Sequence, residues 1–243
     1  MILASTIFKP LLLIHVLSGI AALLAGIAAI AFRKGRGGGH ARAGNVFTVA
    51  MSVMAITAAI LTAWEPDRLS LGAAVWAFYL VHTARHAATD RGNELPWTMM
   101  GVGLTASLLF AHGGWVAHHS VDGTFEGAGV AGYLVFGIGT AISLLLDLSL
   151  LRRPVLRLRQ RIGRHLWRMM VAYFLAVTSL FLGQQDDVFP FMQGSPLLFL
   201  PSLLTIGFLG FWLVRVRFTR NWLGDRRAAR REGPHSQLQR GST

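Results

Sequence analysis

The sequence predicts an all-α polytopic membrane protein, a bundle of seven transmembrane helices with its N-terminus outside and its C-terminus in the cytoplasm. Composition is the first reason, because 53% of the 243 residues are hydrophobic and only 14% are charged, whereas about a quarter of the residues of a soluble domain are charged. The second reason is a set of seven apolar runs of spanning length. The third is the way that charged segments alternate between those runs.

The seven apolar runs define the predicted helices. At about 1.5 Å of rise per residue, the first run is long enough to cross about 30 Å of hydrocarbon with some tilt. It is also longer than the apolar stretch of roughly 7 to 15 residues in a signal peptide, so we interpret it as a retained span. The runs cover about residues 10–32, 46–64, 71–88, 97–118, 129–151, 166–183 and 196–214.

The domain organisation follows from the connections between these runs. No connection between the runs is long enough for a second domain, so residues 1–218 are predicted to form one seven-helix transmembrane domain. Residues 219–243 are rich in arginine, glycine and polar residues and lack apolar periodicity. This composition predicts a basic, disordered cytoplasmic tail.

The arginines predict the orientation. An Arg-dense loop, residues 152–164, leads directly into the sixth apolar run, and such a loop is retained on the cytoplasmic side of a membrane. With that assignment all but two of the 23 lysines and arginines, Lys9 and Arg68, lie on the cytoplasmic side or at its edge. Outer-membrane proteins are barrels of alternating strands, so we predict a multi-pass protein of a bacterial inner membrane.

Charge and cysteine content restrict the partners. The net charge of +12 is carried beside apolar runs, where it favours contact with anionic lipid at the cytoplasmic face of the bilayer and not with nucleic acid. The chain has no cysteine, which excludes disulfides, thiolate metal sites and cysteine nucleophiles. The sequence identifies no redox partner and no small-molecule substrate.

Three segments carry a resemblance to a known family. They are IHVLSGIAALLAGIAAIAFRKGRGGGHARAGNVF in the first hairpin, LLLDLSLLRR at the end of the fifth run, and RHLWRMMVAYFLAVTSLFLGQ in the sixth. Together they resemble a family of uncharacterised bacterial multi-spanning membrane proteins, which is catalogued as a domain of unknown function. The resemblance extends to about residue 217. It implies the location and the fold, and it assigns no activity and no catalytic residue.

Ionisable side chains inside the apolar runs need an explanation, because each arginine, lysine or aspartate at the centre of a membrane helix costs about 2.5 to 3.5 kcal/mol. Helical spacing puts them on faces with small residues, as for His15 with Ala22 and Gly26, so we expect the polar groups to converge on the bundle interior. His15 and His112 are expected near the outer face of the membrane. The group near the inner face comprises His82, Arg85 and His86 of the third run, Asp147 of the fifth, and His165 and Arg168 of the sixth.

The first hypothesis for function is a membrane redox or electron-transfer protein with haem b. Bis-histidine haem ligation needs two imidazoles at matched depth on different helices, and two stacked haems need one such pair near each face. The candidate iron ligands are His15 with His112 near the outer face and His86 or His82 with His165 near the inner face, with Arg85 or Arg168 as partners of the propionates.

Two further hypotheses use the inner group as a site. His82 and His86, four residues apart on one helix face, could bind zinc with His165 or Asp147 as the third ligand of an intramembrane hydrolase, although the glutamate of the His-Glu-x-x-His motif is absent. A transporter or proton relay would use Asp147 and the histidines as stations along a polar path.

The last hypothesis is a structural membrane component without a cofactor. In that case Asp147 forms an interhelical ion pair with Arg85 or Arg168 near the inner face. His86 and His165 are then ordinary residues near the headgroups, and the deeper His15 and His112 hydrogen-bond across helices for packing alone.

Overall fold

A computed structural model describes residues 2–32, 38–62, 64–88, 97–150 and 157–218 of the chain. Nearly all of these residues are helical, so the prediction of an all-α fold is confirmed. The predictions for the basic tail, residues 219–243, and for the loop residues Arg152 and Arg153 lie outside the described residues.

Seven long helices correspond to the seven apolar runs. A five-residue π turn, Ser179–Gly183, extends the sixth helix, and the short helix α7, Gln185–Val188, with two 3-10 turns leads into the last one. The long helices are α1 Ile2–Ala31, α2 Gly39–Leu61, α3 Arg68–Ala88, α4 Trp97–His119, α5 Val130–Leu148, α6 Leu158–Thr178 and α8 Leu200–Phe218.

Six of these helices are long and apolar enough to cross a membrane: α1, α2, α4, α5, α6 with its π turn, and α8. Their outer surfaces are apolar as well. On α1, for example, Leu13, Leu17, Leu24 and Ile27 form a stripe with 56 to 63% of each residue exposed. Apolar surface of this extent is what lipid covers in an integral protein. The chain is therefore a multi-pass membrane protein.

Helix α3 is not among the helices that are apolar enough to cross a membrane by themselves. Its position in the bundle explains why. It packs against α2, α4 and α6, and it reaches α5 through Trp76 and Tyr79. A helix enclosed by other helices needs no continuous lipid-facing surface, so it tolerates polar residues. Its buried residues are Gly72, Ala74, Trp76, Ala77, Tyr79, Leu80, Val81, Thr83, Ala84 and Ala87.

Neighbouring helices run antiparallel, which gives the bundle two ends. His15, in the first half of α1, contacts Thr57 near the end of α2, and Asp147 near the end of α5 contacts Arg164 near the start of α6. We call the end where α2, α4 and α6 begin the basic end, and the opposite end the hairpin end, after the short β1–β2 hairpin, Thr124–Phe125 and Ala128–Gly129. The described arginines towards the basic end are Arg42, Arg85, Arg157, Arg159, Arg161, Arg164, Arg168, Arg215 and Arg217.

Glycines allow the helices to approach closely around core aromatic rings. A Cβ atom on Gly139 of α5 would lie 2.5 Å from the indole of Trp76 on α3. A Cβ atom on Gly113 of α4 would lie 2.1 Å from the ring of Tyr133 on α5. Such contacts fix α5 against its two neighbours and set the position of the buried polar groups further along it.

The hairpin holds the start of α3. Its turn contains Glu126, which has a positive φ of 51°, a conformation uncommon for a residue with a side chain. The Glu126 carboxylate accepts a hydrogen bond from the backbone N–H of Arg68 at 2.5 Å and lies 3.7 Å from the Arg68 guanidinium. A negative charge at this position satisfies an amide at the helix N-terminus.

Candidate functional site

A cluster of buried charged and polar side chains lies towards the basic end, where α3, α5 and α6 meet. We call it the Asp147 cluster, and it consists of Asp147 and Ser143 of α5, Arg164 and Arg168 of α6, and Tyr79 of α3. The side chains of Asp147 and Arg168 are 0% exposed. Charged groups are rarely buried to this extent, and inside a membrane protein they are candidates for a functional site.

Both carboxylate oxygens of Asp147 are engaged by donors from other helices. Arg164 donates from Nη2 to Oδ1 at 2.7 Å, and Arg168 donates from Nη2 to the same oxygen. The Tyr79 hydroxyl donates to Oδ2. Charge-assisted bonds of this kind are the strong ones among hydrogen bonds, so the carboxylate ties α3, α5 and α6 together.

Ser143, one helical turn before Asp147, extends the cluster towards the middle of the bundle. Its backbone carbonyl accepts from Arg168 Nη2 at 3.4 Å and from the Tyr79 hydroxyl at 3.3 Å. Its side-chain hydroxyl accepts from Trp76 Nε1 at 3.3 Å. The polar contacts therefore pass from the arginines to the indole of Trp76 without leaving the protein interior.

The cluster has more positive charge than its one carboxylate neutralises, and it has more hydrogen-bond donors than acceptors. Two guanidinium groups face one carboxylate. Nε of Arg164 and both Nε and Nη1 of Arg168 are buried without a hydrogen-bond partner among the described residues. Buried donors without acceptors cost free energy, so the arrangement favours an additional anionic group beside the arginines. The rings of Trp167 and Tyr79, 5.0 and 5.5 Å from the Arg168 Cζ, offset part of that cost.

An apolar cavity of about 200 Å³ lies between α3, α5, α6 and α8. Trp76 forms part of its wall, and the same indole bonds to Ser143 of the cluster. The other walls include Phe136 of α5, Val171 and Leu175 of α6, and Ile206 of α8. We call this cavity the groove.

The structure confirms one of the two ion-pair partners that the sequence offered for Asp147. Arg168 is the partner, whereas Arg85 is exposed and donates to Asn45 on α2. Arg164 and Tyr79 were not predicted. Arg164 is one helical turn before Arg168 on the same face, and that spacing was the available signal. The apolar run of α6 begins only at residue 166, so the sequence alone places Arg164 in the preceding loop.

The outer histidine pair does not meet in the bundle interior. His15 is half-buried and faces α2, where its Nδ1 lies 3.0 Å from the Met54 carbonyl oxygen and 3.1 Å from the Thr57 hydroxyl. His112 is exposed, so the prediction that it faces the interior is wrong. The reason is that α4 presents its small residues, with Phe110, to α3 and α5. Its buried residues are Gly103, Ala106, Phe110, Gly113 and Ala117.

The inner histidines contact different helices. His82 Nε2 lies 3.0 Å from the Ser52 hydroxyl of α2. His165 Nδ1 lies 3.0 Å from the Ala84 carbonyl oxygen of α3, and His86 is half-buried. Among the described residues no three histidine, aspartate or glutamate side chains are grouped closely enough to hold a metal ion. The haem and zinc hypotheses stay predictions.

The chain matches no family model, no curated protein and no solved structure. The resemblance to a family of uncharacterised membrane proteins therefore stays a prediction as well.

Proposed function

We propose that the protein is a proton-coupled anion transporter of a bacterial inner membrane, in which the Asp147 cluster binds both the anion and the proton. The observation that carries this proposal is the excess of buried donors: two arginines share one carboxylate, and three of their nitrogen atoms have no described acceptor. Among the hypotheses that the sequence leaves open, a transporter using Asp147 makes direct use of this imbalance.

The proposed topology has seven spans, with the N-terminus outside and the C-terminus in the cytoplasm. Helix α3 counts as the seventh span because it runs the length of the bundle inside a sheath of other helices. The concentration of arginines at the basic end supports a cytoplasmic position for that end. Arg68, at the hairpin end, is held by Glu126.

The chemistry of coupling follows from competition for the arginines. An anion bound to the unpartnered donors of Arg164 and Arg168 competes with Asp147 for the positive charge of the same two guanidinium groups. Two anionic groups then share these counter-charges, and a proton is the species that neutralises the Asp147 carboxylate. Binding of one anion and one proton together leaves the cluster with the charge that it carries alone. The loaded and unloaded forms therefore face the same electrostatic cost in the membrane.

Anion-dependent proton movement into proteoliposomes tests this function. Purified protein is reconstituted in neutral phosphatidylcholine vesicles with a pH-sensitive dye inside, and inorganic phosphate, ethanesulfonate or hexanesulfonate is added outside. These anions keep a charge at neutral pH, so they cross a protein-free bilayer poorly. We expect internal acidification with at least one of them. Acidification that never exceeds that of protein-free vesicles would overturn the proposal.

Two arginine variants give this test its control. Arg164→Gln removes one donor to Asp147 and is expected to slow proton movement at least tenfold. Arg159→Gln changes an exposed arginine of the same helix that donates to the Arg217 carbonyl oxygen. It is expected to keep the rate within a factor of two, because it lies outside the cluster. Equal slowing in both variants would mean that general positive charge, and not the cluster, is responsible.

A further inference from the structure

The groove lies beside the Asp147 cluster along three helices, and Trp76 connects the two. On α6, Val171 and Leu175 follow Arg168 by three and seven residues and so lie on the same helix face. On α5, Phe136 precedes Asp147 by eleven residues and shares its face in the same way. On α3, Trp76 lines the groove and bonds to Ser143. The apolar part therefore begins about one turn beyond the arginines.

The cluster and the groove together form a candidate site with two chemically different halves. The arginine half offers unpartnered donors and one net positive charge. The groove half is lined by apolar side chains and by Thr205 of α8. A small hydrophilic anion would use the first half and leave the second without a role. A neutral apolar molecule would fill the groove and leave the donors unpaired, which is costly.

We infer that the ligand of this site is a single-chain amphiphilic anion, with its charged headgroup at Arg164 and Arg168 and its apolar chain in the groove. This inference names the substrate class of the proposed transporter and in that respect rests on the proposed function. The charge of the cluster matches a headgroup with one negative charge, such as a carboxylate, a sulfonate or a phosphate diester.

The size of the groove selects a single chain. A water molecule takes up about 30 Å³ of liquid, and a methylene group is of similar size. A cavity of about 200 Å³ therefore holds a chain of about six or seven carbon atoms. The second acyl chain of a phospholipid would lie outside the groove, towards the lipid-exposed residues Val135 and Ile206. The rise of about 10 Å along α6 from Arg168 to Leu175 is consistent with one extended chain of this length.

Quenching of tryptophan fluorescence by a brominated ligand tests the inference without any transport. The probe is 6-bromohexanesulfonate, which carries a permanent single negative charge and a bromine atom at the far end of a six-carbon chain. Added to the protein in phosphatidylcholine nanodiscs, it is expected to quench in a saturable manner, because the bromine reaches the indole of Trp76 in the groove. Trp76→Phe is expected to remove that saturable component.

Two comparison ligands separate the halves of the site. 2-Bromoethanesulfonate keeps the headgroup and lacks the chain, and 6-bromohexanol keeps the chain and lacks the charge. Each is expected to bind at least tenfold more weakly than the complete probe. If 6-bromohexanol binds as tightly as the sulfonate, the arginines contribute nothing and the inference is overturned. Saturable quenching that persists in Trp76→Phe would place the ligand elsewhere, with the same consequence.

Two pairs of variants complete the test. Arg164→Gln is expected to weaken binding of the probe at least tenfold, whereas Arg159→Gln leaves it unchanged. Ile206→Phe adds bulk to the groove from the lipid-exposed side of α8 and is expected to weaken binding several-fold. Its matched control is Leu203→Phe, which changes an exposed residue of α8 that does not line the groove. Equal binding in Ile206→Phe and Leu203→Phe would contradict occupation of the groove.

The outcomes distinguish this inference from the proposed function. Proton movement with inorganic phosphate, without binding of 6-bromohexanesulfonate, would leave the transporter standing and overturn the amphiphilic ligand. Binding of the probe that depends on the cluster, without any proton movement, would overturn the transporter and leave the amphiphilic ligand standing. Displacement of the probe by stoichiometric phosphatidylglycerol, but not by hexanesulfonate, would identify the occupant as a membrane phospholipid and overturn the single-chain assignment.

Discussion

The Asp147 cluster and the end of α4 nearest the hairpin treat ionisable side chains in opposite ways. Towards the basic end, Asp147 and Arg168 are fully buried and bond to each other across α5 and α6. Towards the hairpin end, His112 and His119 lie on the exposed side of α4, while glycine and alanine fill its inner face. Polarity alone therefore does not decide which side of a membrane helix faces inward. A polar side chain turns inward where a partner helix supplies a complementary group, and close packing of small residues takes precedence elsewhere.

Breaking the Asp147 cluster is expected to have the largest effect on stability. Asp147→Leu leaves two buried guanidinium groups without a counter-charge, which should lower the free energy of unfolding by about 3 to 5 kcal/mol. Thermal unfolding in detergent, followed by size-exclusion chromatography of the soluble fraction, measures the loss.

A double variant sharpens that test. Asp147→Leu combined with Arg168→Leu removes both charges of the fully buried pair and should recover part of the lost stability, because apolar replacement of a buried pair is often nearly neutral. A double variant less stable than Asp147→Leu alone would show that the charges are not coupled as the distances indicate.

Overpacking α5 is expected to have the second largest effect on stability. Gly139→Val would push side-chain atoms into the indole of Trp76, because even a Cβ atom would lie 2.5 Å away. The expected cost is about 1 to 3 kcal/mol, together with slower proton movement because Trp76 is linked to the cluster through Ser143. Gly132→Ala is the matched control, since its nearest side-chain neighbour, Leu69, would lie at an ordinary 3.8 Å. An equal loss in both variants would exclude the Trp76 contact as the cause.

The two outer histidines provide a smaller and more direct test of the rule that a polar side chain turns inward where a partner helix supplies a complementary group. His15→Ala removes contacts to Met54 and Thr57 on α2, and interhelical hydrogen bonds in membranes contribute about 0.6 to 1.7 kcal/mol. His112→Ala changes an exposed side chain and should stay within about 0.5 kcal/mol of the parent protein. Unfolding temperatures of the two variants in one detergent measure the difference, and a larger loss for His112→Ala would contradict the assignment of faces.

The haem hypothesis makes a different prediction for the same two variants. If His15 and His112 hold a haem, protein from haem-replete cells should show a Soret band that both substitutions abolish. An absorption spectrum of the air-oxidised and dithionite-reduced protein measures this. A colourless parent protein would refute the haem hypothesis.

The smallest expected effect concerns the hairpin. Glu126→Gln removes the negative charge beside Arg68 and the N-terminus of α3. Because the pair is partly exposed, the expected loss is no more than about 1 kcal/mol, and it should shrink in high salt. Unfolding temperatures at low and high salt check this, and a loss that does not depend on salt would point to the turn conformation as its cause.

The sequence predicted the number and approximate position of the long helices, because apolar length is nearly all that a membrane requires. It placed the starts of α2 and α6 too late, at residues 46 and 166 instead of Gly39 and Leu158. Helical hydrogen bonds continue into polar segments, whereas apolar runs record only the part inside hydrocarbon. That error removed Arg164 from the candidate site.

Side-chain partners were less predictable than helices. The sequence offered both Arg85 and Arg168 for Asp147, since each lies near the basic end at compatible depth. The choice between them depends on the rotation of α3 and α6 about their own axes, which packing against Gly139 and other small residues determines. Periodicity in one helix carries no information about that rotation in its neighbour.

The most direct test of the central claim, that Asp147 couples a proton to an anion, is a comparison of two fluxes in one variant. In Asp147→Asn proteoliposomes, exchange of labelled hexanesulfonate across the membrane should continue, because the arginines remain. Anion-dependent acidification should fall to the level of protein-free vesicles, while Asp186→Asn, at the hairpin end, should behave as the parent protein. If Asp147→Asn elutes as a folded protein and still moves protons with the anion at the parental rate, Asp147 is not the coupling group.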